Sequence, residues 1–353
     1  MRAMLPTAVT DLARRASVLV ETTLAAHRAD LRTRTYATPA FDPPRVRPDV
    51  IPVVTADGAR LRVHAYGPVD APVVVLIHGW TCSIEYWNAQ INAFADEYRV
   101  VAYDTRGHGE STDGYANPST NILADDLEDV LNAVLLPGQR ATLVGHSMGG
   151  MTLIAWAGRY PERVAEHAEA IVLTNTGAHS LVEVSTMVPG LNRPLAVLGG
   201  RQIPTPGWLG KVILGTPVVF PPIAPVRKLF ASQVMTVDTP RTKLDYALSV
   251  VRGCRMMTRS RYGLLLTRLS LGDAAANFSV PTTVLAGDRD DMTPPLHAER
   301  IAELLRGVGT LAKHKVLPTG HLGNVERHDL FNAELAEVLS NVSADSRKGE
   351  LVG

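Results

Sequence analysis

A serine with a glycine two residues before it and another two residues after it lies between a predicted strand and a predicted helix. Residues 142–144 are apolar and β-forming, which is typical of a buried strand. Residues 151–160 are mostly apolar and indicate a buried helix, which Pro161 ends. Between them stands Gly-His-Ser-Met-Gly at 145–149, a match to the pattern G-x-S-x-G. The unit therefore predicts a sharp turn at the edge of a sheet.

The spacing of the two glycines has a steric reason. A residue on a sharp strand-to-helix turn has a strained backbone, and the residues two before and two after it crowd the turn. Glycine at 145 and 149 removes the Cβ atoms that would clash. The hydroxyl of Ser147 then stands beside a helix N-terminus, whose N–H groups can stabilise a developing negative charge. We interpret Ser147 as a candidate nucleophile, and a purely structural glycine-rich turn is the alternative.

Composition and charge argue against several classes of protein. The 353 residues carry 35 basic and 35 acidic side chains, so the formal net charge is zero. We therefore expect no nucleic-acid partner, since the chain has no excess of positive charge to attract one. The two cysteines, Cys82 and Cys254, form neither a disulfide framework nor a metal-ligand pattern, and we expect no metal. No apolar run is long enough for a membrane span and the start lacks a secretory signal, so we expect a cytoplasmic protein.

Strand and helix patterns alternate along most of the chain. A hairpin signal at Asp57 and Gly58 comes first, and apolar β-forming runs then alternate with helical periodicity. Alternation of this kind predicts an α/β fold with parallel strands and helices on both faces. The predicted strands are 51–55, 61–65, 73–77, 100–103, 142–144, 170–174, 281–286 and 313–317, and the predicted helices are 84–95, 122–134, 151–160, 296–305 and 330–339.

We predict five parts along the chain. They are an N-terminal helical extension at 1–48, the α/β core in two pieces at 49–176 and 273–342, a helical cap at 177–272, and a polar, frayed tail at 343–353. The cap is rich in proline and shows helical patterns at 241–251 and 261–269 but no strand alternation. In the extension, a helical face is predicted from the spacing of Leu5, Val9, Leu12, Ala16, Leu19 and Thr23.

The cap and the extension are both basic. Between residues 178 and 272 the cap has twelve basic and three acidic residues, a formal charge of +9; the extension has eight and four, a formal charge of +4. For the cap, a solvated basic face and an attraction for anionic head groups or lipid surfaces both stay open. For the extension, packing on the body or on a partner subunit and peripheral contact with an anionic membrane both stay open.

A serine nucleophile needs a base to accept its proton and an acid to orient that base. Two segments downstream of Ser147 follow predicted parallel strands and so lie at the same edge of the sheet. The acidic loop at 287–294 offers Asp288, Asp290 and Asp291, and a glycine-flanked turn presents His321. Other histidines are interpreted as structural: His108, His146, His297, His314 and His328.

The loop after the strand at 73–77 is the candidate for an oxyanion hole, which requires two N–H donors. One donor is the backbone N–H of Met148, the residue after the nucleophile. The loop reads His78-Gly79-Trp80, and because glycine permits a tight backbone there, the N–H of Trp80 is the expected second donor. We expect His78 to brace this loop rather than to take part in chemistry.

Five short motifs, in this order along the chain, resemble the landmark motifs of the α/β-hydrolase superfamily. They are HGW at 78–80, DTRGHGES at 104–111, GHSMGG at 145–150, GDRD at 287–290 and GH at 320–321. The resemblance implies an eight-stranded, mostly parallel sheet with a lid inserted after the sixth strand. It also implies that the acid is Asp290, three positions after the glycine, and that Arg106 belongs to a structural loop.

Within the superfamily, the sequence is most similar to serine esterases and monoacylglycerol-type lipases. This implies hydrolysis of a small-molecule acyl ester without a cofactor. Ser147 stands where epoxide hydrolases and haloalkane dehalogenases have aspartate, so both are disfavoured. Cofactor-free perhydrolases, C–C bond hydrolases and a low-turnover ligand receptor stay as alternatives, and the oligomeric state stays open. A medium or long acyl chain is indicated by the cap methionines Met187, Met235, Met256 and Met257.

Overall fold

An eight-stranded sheet forms the centre of the protein, whose computed structural model describes residues 7–179, 197–198, 201–202 and 224–352. The strand order is β1-β2-β4-β3-β5-β6-β9-β10; β2 pairs antiparallel with both β1 and β4, and the remaining pairs are parallel. The strands are β1 (Asp49–Val54), β2 (Arg60–Tyr66), β3 (Val73–Ile77), β4 (Arg99–Tyr103), β5 (Ala141–His146), β6 (Ala168–Thr174), β9 (Thr282–Gly287) and β10 (Leu311–Leu317). Two short strands, β7 (Val197–Leu198) and β8 (Arg201–Gln202), pair separately.

Helices precede, connect and follow these strands, and three of them form the described helices of the cap. The cap helices are α6 (Ala224–Val234), α7 (Arg241–Arg252) and α8 (Met256–Leu266). The others are α1 (Thr7–Leu31), α2 (Asn88–Phe94), α3 (Thr120–Val134), α4 (Met148–Arg159), α5 (Pro161–His167), α9 (Pro295–Val308), α10 (Gly323–Glu326) and α11 (His328–Val352).

The central strand β3 is buried along its whole length because helices cover both faces of the sheet. Successive side chains of a strand point to opposite faces. Val75 accordingly joins the core that contains residues of α3 and α4, whereas Val74 joins the core that contains residues of α2, α11 and the cap. The predicted fold is thus confirmed: a mostly parallel eight-stranded sheet with a helical cap inserted after the sixth strand.

Three local predictions differ from the structure. The last helix is predicted to end at residue 339, but α11 continues to Val352, so residues 343–352 of the segment predicted as a frayed tail are helical. That segment contains no proline, the residue that most strongly ends a helix, so its sequence permits continuation. Helix α8 begins at Met256, earlier than predicted, and the β7–β8 hairpin is too short to give an alternating pattern. The division into five parts stays a prediction, and cap residues 180–196, 199–200 and 203–223 lie outside the described residues.

The N-terminal helix α1 contacts the body near its C-terminal end. Of the face predicted from the sequence, Leu19 is 68% exposed and Thr23 is also exposed, whereas the side chains of Leu5, Val9, Leu12 and Ala16 lie outside the described residues. Arg28 and Leu31 are buried instead. Arg28 can be buried because it pairs with Glu110 at 3.1 Å and donates a hydrogen bond to the carbonyl of Gly253 in the cap. Among the described helices, none is both long enough and apolar enough to cross a membrane.

Candidate active site

Ser147 lies on the turn between β5 and α4, as predicted, and its backbone has φ 53° and ψ −118°. A positive φ is strained for a residue with a side chain, so the surroundings must hold it. The N–H of Ser147 donates to the carbonyl of Thr174 at 3.0 Å, and the hydroxyl of Thr176 donates to the carbonyl of Ser147 at 2.7 Å. Both partners come from the end of β6 and the residues that follow it, so the neighbouring strand stabilises the turn.

The two glycines of the motif lie where no side chain fits. A Cβ on Gly145 would lie 2.6 Å from the carbonyl oxygen of Gly149. A Cβ on Gly149 would lie 2.1 Å from the carbonyl oxygen of Ile77 in β3. These contacts are with backbone atoms, which cannot move away without disturbing the central sheet.

We therefore expect Gly149→Ala to lower the free energy of unfolding by about 1–3 kcal/mol, the usual cost of forcing an extra group into a packed core. Gly307→Ala is the matched control, because its Cβ would meet no atom within 4 Å and alanine favours the helix by up to about 1 kcal/mol. Urea unfolding measures both changes. A Gly149→Ala variant with the wild-type midpoint would contradict the steric argument.

The structure brings Ser147, His321 and Asp290 together in one hydrogen-bonded chain. His321 Nδ1 lies 2.8 Å from Asp290 Oδ2, and His321 Nε2 lies 2.9 Å from Ser147 Oγ. Because a carboxylate only accepts, the hydrogen of the neutral ring lies on Nδ1, which leaves Nε2 free to accept the serine proton. All three residues are buried, whereas Asp288 and Asp291 are exposed. The arrangement fits a nucleophile, a base and an orienting acid.

The carboxylate of Asp290 is surrounded by hydrogen-bond donors. The N–H groups of Met292 and Thr293 donate to Oδ1 at 2.9 Å each, the Thr293 hydroxyl donates to Oδ2 at 2.6 Å, and the Asn175 amide donates to Oδ2 at 2.9 Å. Burial alone would raise the pKa of Asp290, but the charge and hydrogen bond of His321 and the two donors of Thr293 hold it below its ordinary value. Asp290 is therefore ionised at neutral pH.

Asn175 and Thr293 were not found from the sequence. Asn175 has φ 49°, a conformation that asparagine tolerates better than most residues, and it directly follows β6. Its position at the end of a parallel strand was the available signal. Thr293 lies three residues after Asp290, in a loop where the sequence singled out only the acids.

The loop after β3 abuts the nucleophile. A Cβ on Gly79 would lie 3.1 Å from Ser147 Cβ, so the backbone that leads into Trp80 runs directly beside Ser147. His78 braces this loop as expected, since Nδ1 donates to the Gly79 carbonyl at 2.7 Å and Nε2 accepts from the Thr105 N–H at 3.0 Å. Met148 is the first residue of α4, where N–H groups have no partner within the helix. The pairing of the Trp80 and Met148 N–H groups as an oxyanion hole stays a prediction.

The other histidines near the turn contact groups other than the serine hydroxyl. His146 Nε2 lies 2.9 Å from the carbonyl oxygen of His321, and burial lowers the pKa of His146 to about 3. His108 packs with its ring centroid 4.8 Å from that of Tyr262, and burial lowers its pKa to about 3 as well. Both side chains are therefore neutral and structural at physiological pH.

An apolar cluster joins the cap to this site. Its buried members come from α3, α4, α8 and the segment after α8, and Trp80 packs against it: Leu123, Met148, Met151, Tyr262, Leu266 and Leu269. The Trp80 indole also donates to the carbonyl of Arg259 in α8 at 3.1 Å.

Of the methionines singled out in the cap, Met235 is buried and Met257 is 59% exposed, while Met187 lies outside the described residues. Among the part of the chain that the structure covers, no group of three or more His, Cys, Asp or Glu is placed to hold a metal ion.

Comparison with known proteins gives consistent results. A model of the alpha/beta hydrolase family matches residues 74–334. A bifunctional esterase/perhydrolase of Acinetobacter calcoaceticus is 41% identical over 110 residues, which is 31% of this chain and 39% of that protein. A 3-oxoadipate enol-lactonase of Acinetobacter baylyi is 26% identical over 286 residues, which is 80% of this chain and 93% of that protein. The fold also matches a thermophilic esterase of Thermogutta terrifontis, with a TM-score of 0.63 and 22% identity over 84% of this chain and 99% of that chain.

Proposed function

Since this chain belongs to the alpha/beta hydrolase family, we propose that it is a serine hydrolase that cleaves carboxylic esters through an acyl-enzyme. The observation that carries the proposal is the hydrogen-bonded chain from Ser147 through His321 to Asp290, with distances of 2.9 and 2.8 Å. A serine hydroxyl is unreactive at neutral pH unless a neighbouring base accepts its proton. Here the base is already in contact with the hydroxyl.

In the first half of the reaction, Ser147 Oγ attacks the ester carbonyl while His321 Nε2 accepts its proton. The ionised Asp290 holds the ring in the correct tautomer and stabilises the imidazolium that forms. The N–H groups of Met148 and Trp80 stabilise the negative charge on the carbonyl oxygen. His321 then protonates the alcohol, which leaves, and the acyl group stays on Ser147.

In the second half, His321 takes a proton from water, which attacks the acyl-enzyme. The acid is released and Ser147 regains its proton. The burial of the three side chains supports this reaction, because hydrogen bonds aimed at a developing charge are stronger in a water-poor site.

An apolar acyl group is supported by the apolar cluster that contains Met148, the residue after Ser147. The cluster combines the first turns of α4 with side chains of α8 in the cap, so the packing beside Ser147 on this side is aliphatic and methionine-rich. This support comes from Met148 and Met151 of the core rather than from the cap methionines that the sequence indicated. Methionine is flexible and adapts to chains of different length.

At least one arginine of the basic cap pairs with an acid outside the cap, since Arg255 pairs with Glu21 of α1 at 3.0 Å. Arg227 pairs at 2.7 Å with Asp245, an acid that the formal charge of +9 already includes. Attraction of an anionic substrate or of an anionic membrane to the cap therefore stays a prediction.

A series of esters with one alcohol and increasing acyl length tests the proposal. With p-nitrophenyl esters from acetyl to dodecanoyl, we expect kcat/KM to rise about fourfold for each methylene that becomes buried, because each contributes about 0.8 kcal/mol. A burst of nitrophenol that matches the enzyme concentration would report the acyl-enzyme. A protein that binds these esters without turnover is a receptor, and that result would overturn the proposal.

Perhydrolysis is a second candidate, favoured by the 41% identity to the bifunctional esterase/perhydrolase over 110 residues. In this reaction hydrogen peroxide replaces water in the attack on the acyl-enzyme, which releases a peracid and regenerates Ser147. The same triad and oxyanion donors serve both reactions. Peracid formation from an ester in peroxide distinguishes this activity, and its absence in a protein that hydrolyses the same ester would exclude it.

A further inference from the structure

The turn that carries His321 is in contact with the cap on both sides of the histidine. After it, the N–H of Leu322 donates to the carbonyl of Val234 at the end of α6 at 3.1 Å. Before it, Gly320 lies so close to the cap that a Cβ there would be 2.7 Å from the Cα of Met235. The position of His321 therefore depends on the cap as well as on the sheet.

The buried carboxylate of Glu326 joins the turn that carries His321 to the cap. One oxygen accepts the N–H of Gly320, the residue before His321, at 2.8 Å. The other oxygen accepts from the cap: from the N–H of Thr236 at 3.0 Å, from the hydroxyl of Thr239 at 2.7 Å and from the hydroxyl of Thr236. Glu326 is only 3% exposed, so these donors replace the water that the carboxylate has lost.

We infer that Glu326 is a positioning residue for His321, which joins the histidine turn to the cap segment that contains Thr236 and Thr239. The inference rests on the proposed function, which makes His321 the base. Glu326 does not touch the substrate or the reacting atoms. It acts by fixing the backbone one residue before His321, so that Nε2 stays within hydrogen-bond distance of Ser147 Oγ.

Glutamine is the informative replacement because of the pattern of donors. Both oxygens of Glu326 accept, one from the turn and one from the cap. An amide of nearly the same shape has only one oxygen, so its NH₂ group must face donors on one of the two sides. Glu326→Gln should therefore displace the turn relative to the cap, and a displacement of about 1 Å can cost about 10²-fold in rate.

The experiment measures the rate at which a phosphonofluoridate labels Ser147, followed by intact mass, together with ester hydrolysis. In Glu326→Gln we expect labelling and kcat to fall about 10²-fold with KM within about twofold. The far-downfield proton resonance of the His321 Nδ1–Asp290 hydrogen bond should weaken or shift. The double variant Thr236→Val/Thr239→Val, which removes only the two cap hydroxyls, should give a smaller loss in the same direction.

Glu334→Gln is the matched control, because this carboxylate is similarly buried but pairs with Lys313 at 2.7 Å on the neighbouring strand. It should label at the wild-type rate. If folded Glu326→Gln shows only a lower melting temperature, with labelling and the proton resonance unchanged, Glu326 is merely structural and the inference is overturned. If Glu326→Gln does not fold, the double variant Thr236→Val/Thr239→Val takes its place. The inference is then overturned if that variant keeps the wild-type labelling rate and proton resonance.

The outcomes separate this inference from the proposed function. A wild-type protein that is labelled at Ser147 but hydrolyses no ester contradicts the proposed function, and the labelling rates still test Glu326. A wild-type protein that is not labelled contradicts the serine mechanism, and the proton resonance then tests whether Glu326 sets the position of His321.

Discussion

Replacing Ser147 with alanine is expected to lower kcat for ester hydrolysis by about 10⁴- to 10⁶-fold, because the three residues of the triad act as a unit. Without Oγ, His321 has no proton to accept and no acyl-enzyme can form. The fold should be retained, since alanine keeps the Cβ and demands nothing new of a backbone with φ 53°. Steady-state hydrolysis of a p-nitrophenyl ester measures the loss, and intact mass after phosphonofluoridate should show no adduct.

Ser249→Ala serves as the control for this variant. Ser249 is also buried, but it lies in the cap helix α7 and its hydroxyl donates to the carbonyl of Tyr246 at 2.6 Å. Its loss should leave kcat within about twofold, the range expected for a site that the chemistry does not involve. Hydrolysis by Ser147→Ala within about tenfold of wild type would exclude the serine mechanism.

Asp290→Asn is expected to cost about 10⁴-fold in kcat. An asparagine amide can donate to Nδ1 of His321, which favours the tautomer with the hydrogen on Nε2. That tautomer cannot accept the proton of Ser147. The amide also meets donors from Asn175 and Thr293, which the carboxylate accepts in the native protein. The ester assay measures the loss, and circular dichroism confirms that the variant is folded.

Asp288→Asn and Asp291→Asn are the matched controls, because both acids lie in the same loop but are exposed. Each should retain activity within about twofold, as surface substitutions usually do. If either of them were the inactive variant while Asp290→Asn stayed active, the orienting acid would be misassigned. The role of Ser147 would then still stand, since it depends on the turn and on His321.

Much of the fold and the members of the candidate triad could be predicted from the sequence. The turn at Ser147 is a local structure, because the strand before it, the helix after it and the two glycines lie within a short stretch of chain. Parallel strands place their C-terminal ends at one edge, so Ser147, the acidic loop and His321 were expected to meet there. The choice of Asp290 among three acids came from the family resemblance, and the structure shows it alone of the three buried against His321.

Three features follow from local sequence: the alternation of strands and helices, the steric need for Gly145 and Gly149, and the candidate side chains at strand ends. Which distant groups meet depends on how these elements pack. Asn175 contacts Asp290 from 115 residues away, and Glu326 contacts Thr239 from 87 residues away. The buried face of α1 was likewise decided by Glu110 and Gly253, which accept hydrogen bonds from Arg28. Periodicity and turn sterics act between chain neighbours, whereas these hydrogen bonds form only after packing has excluded water and brought donor and acceptor together.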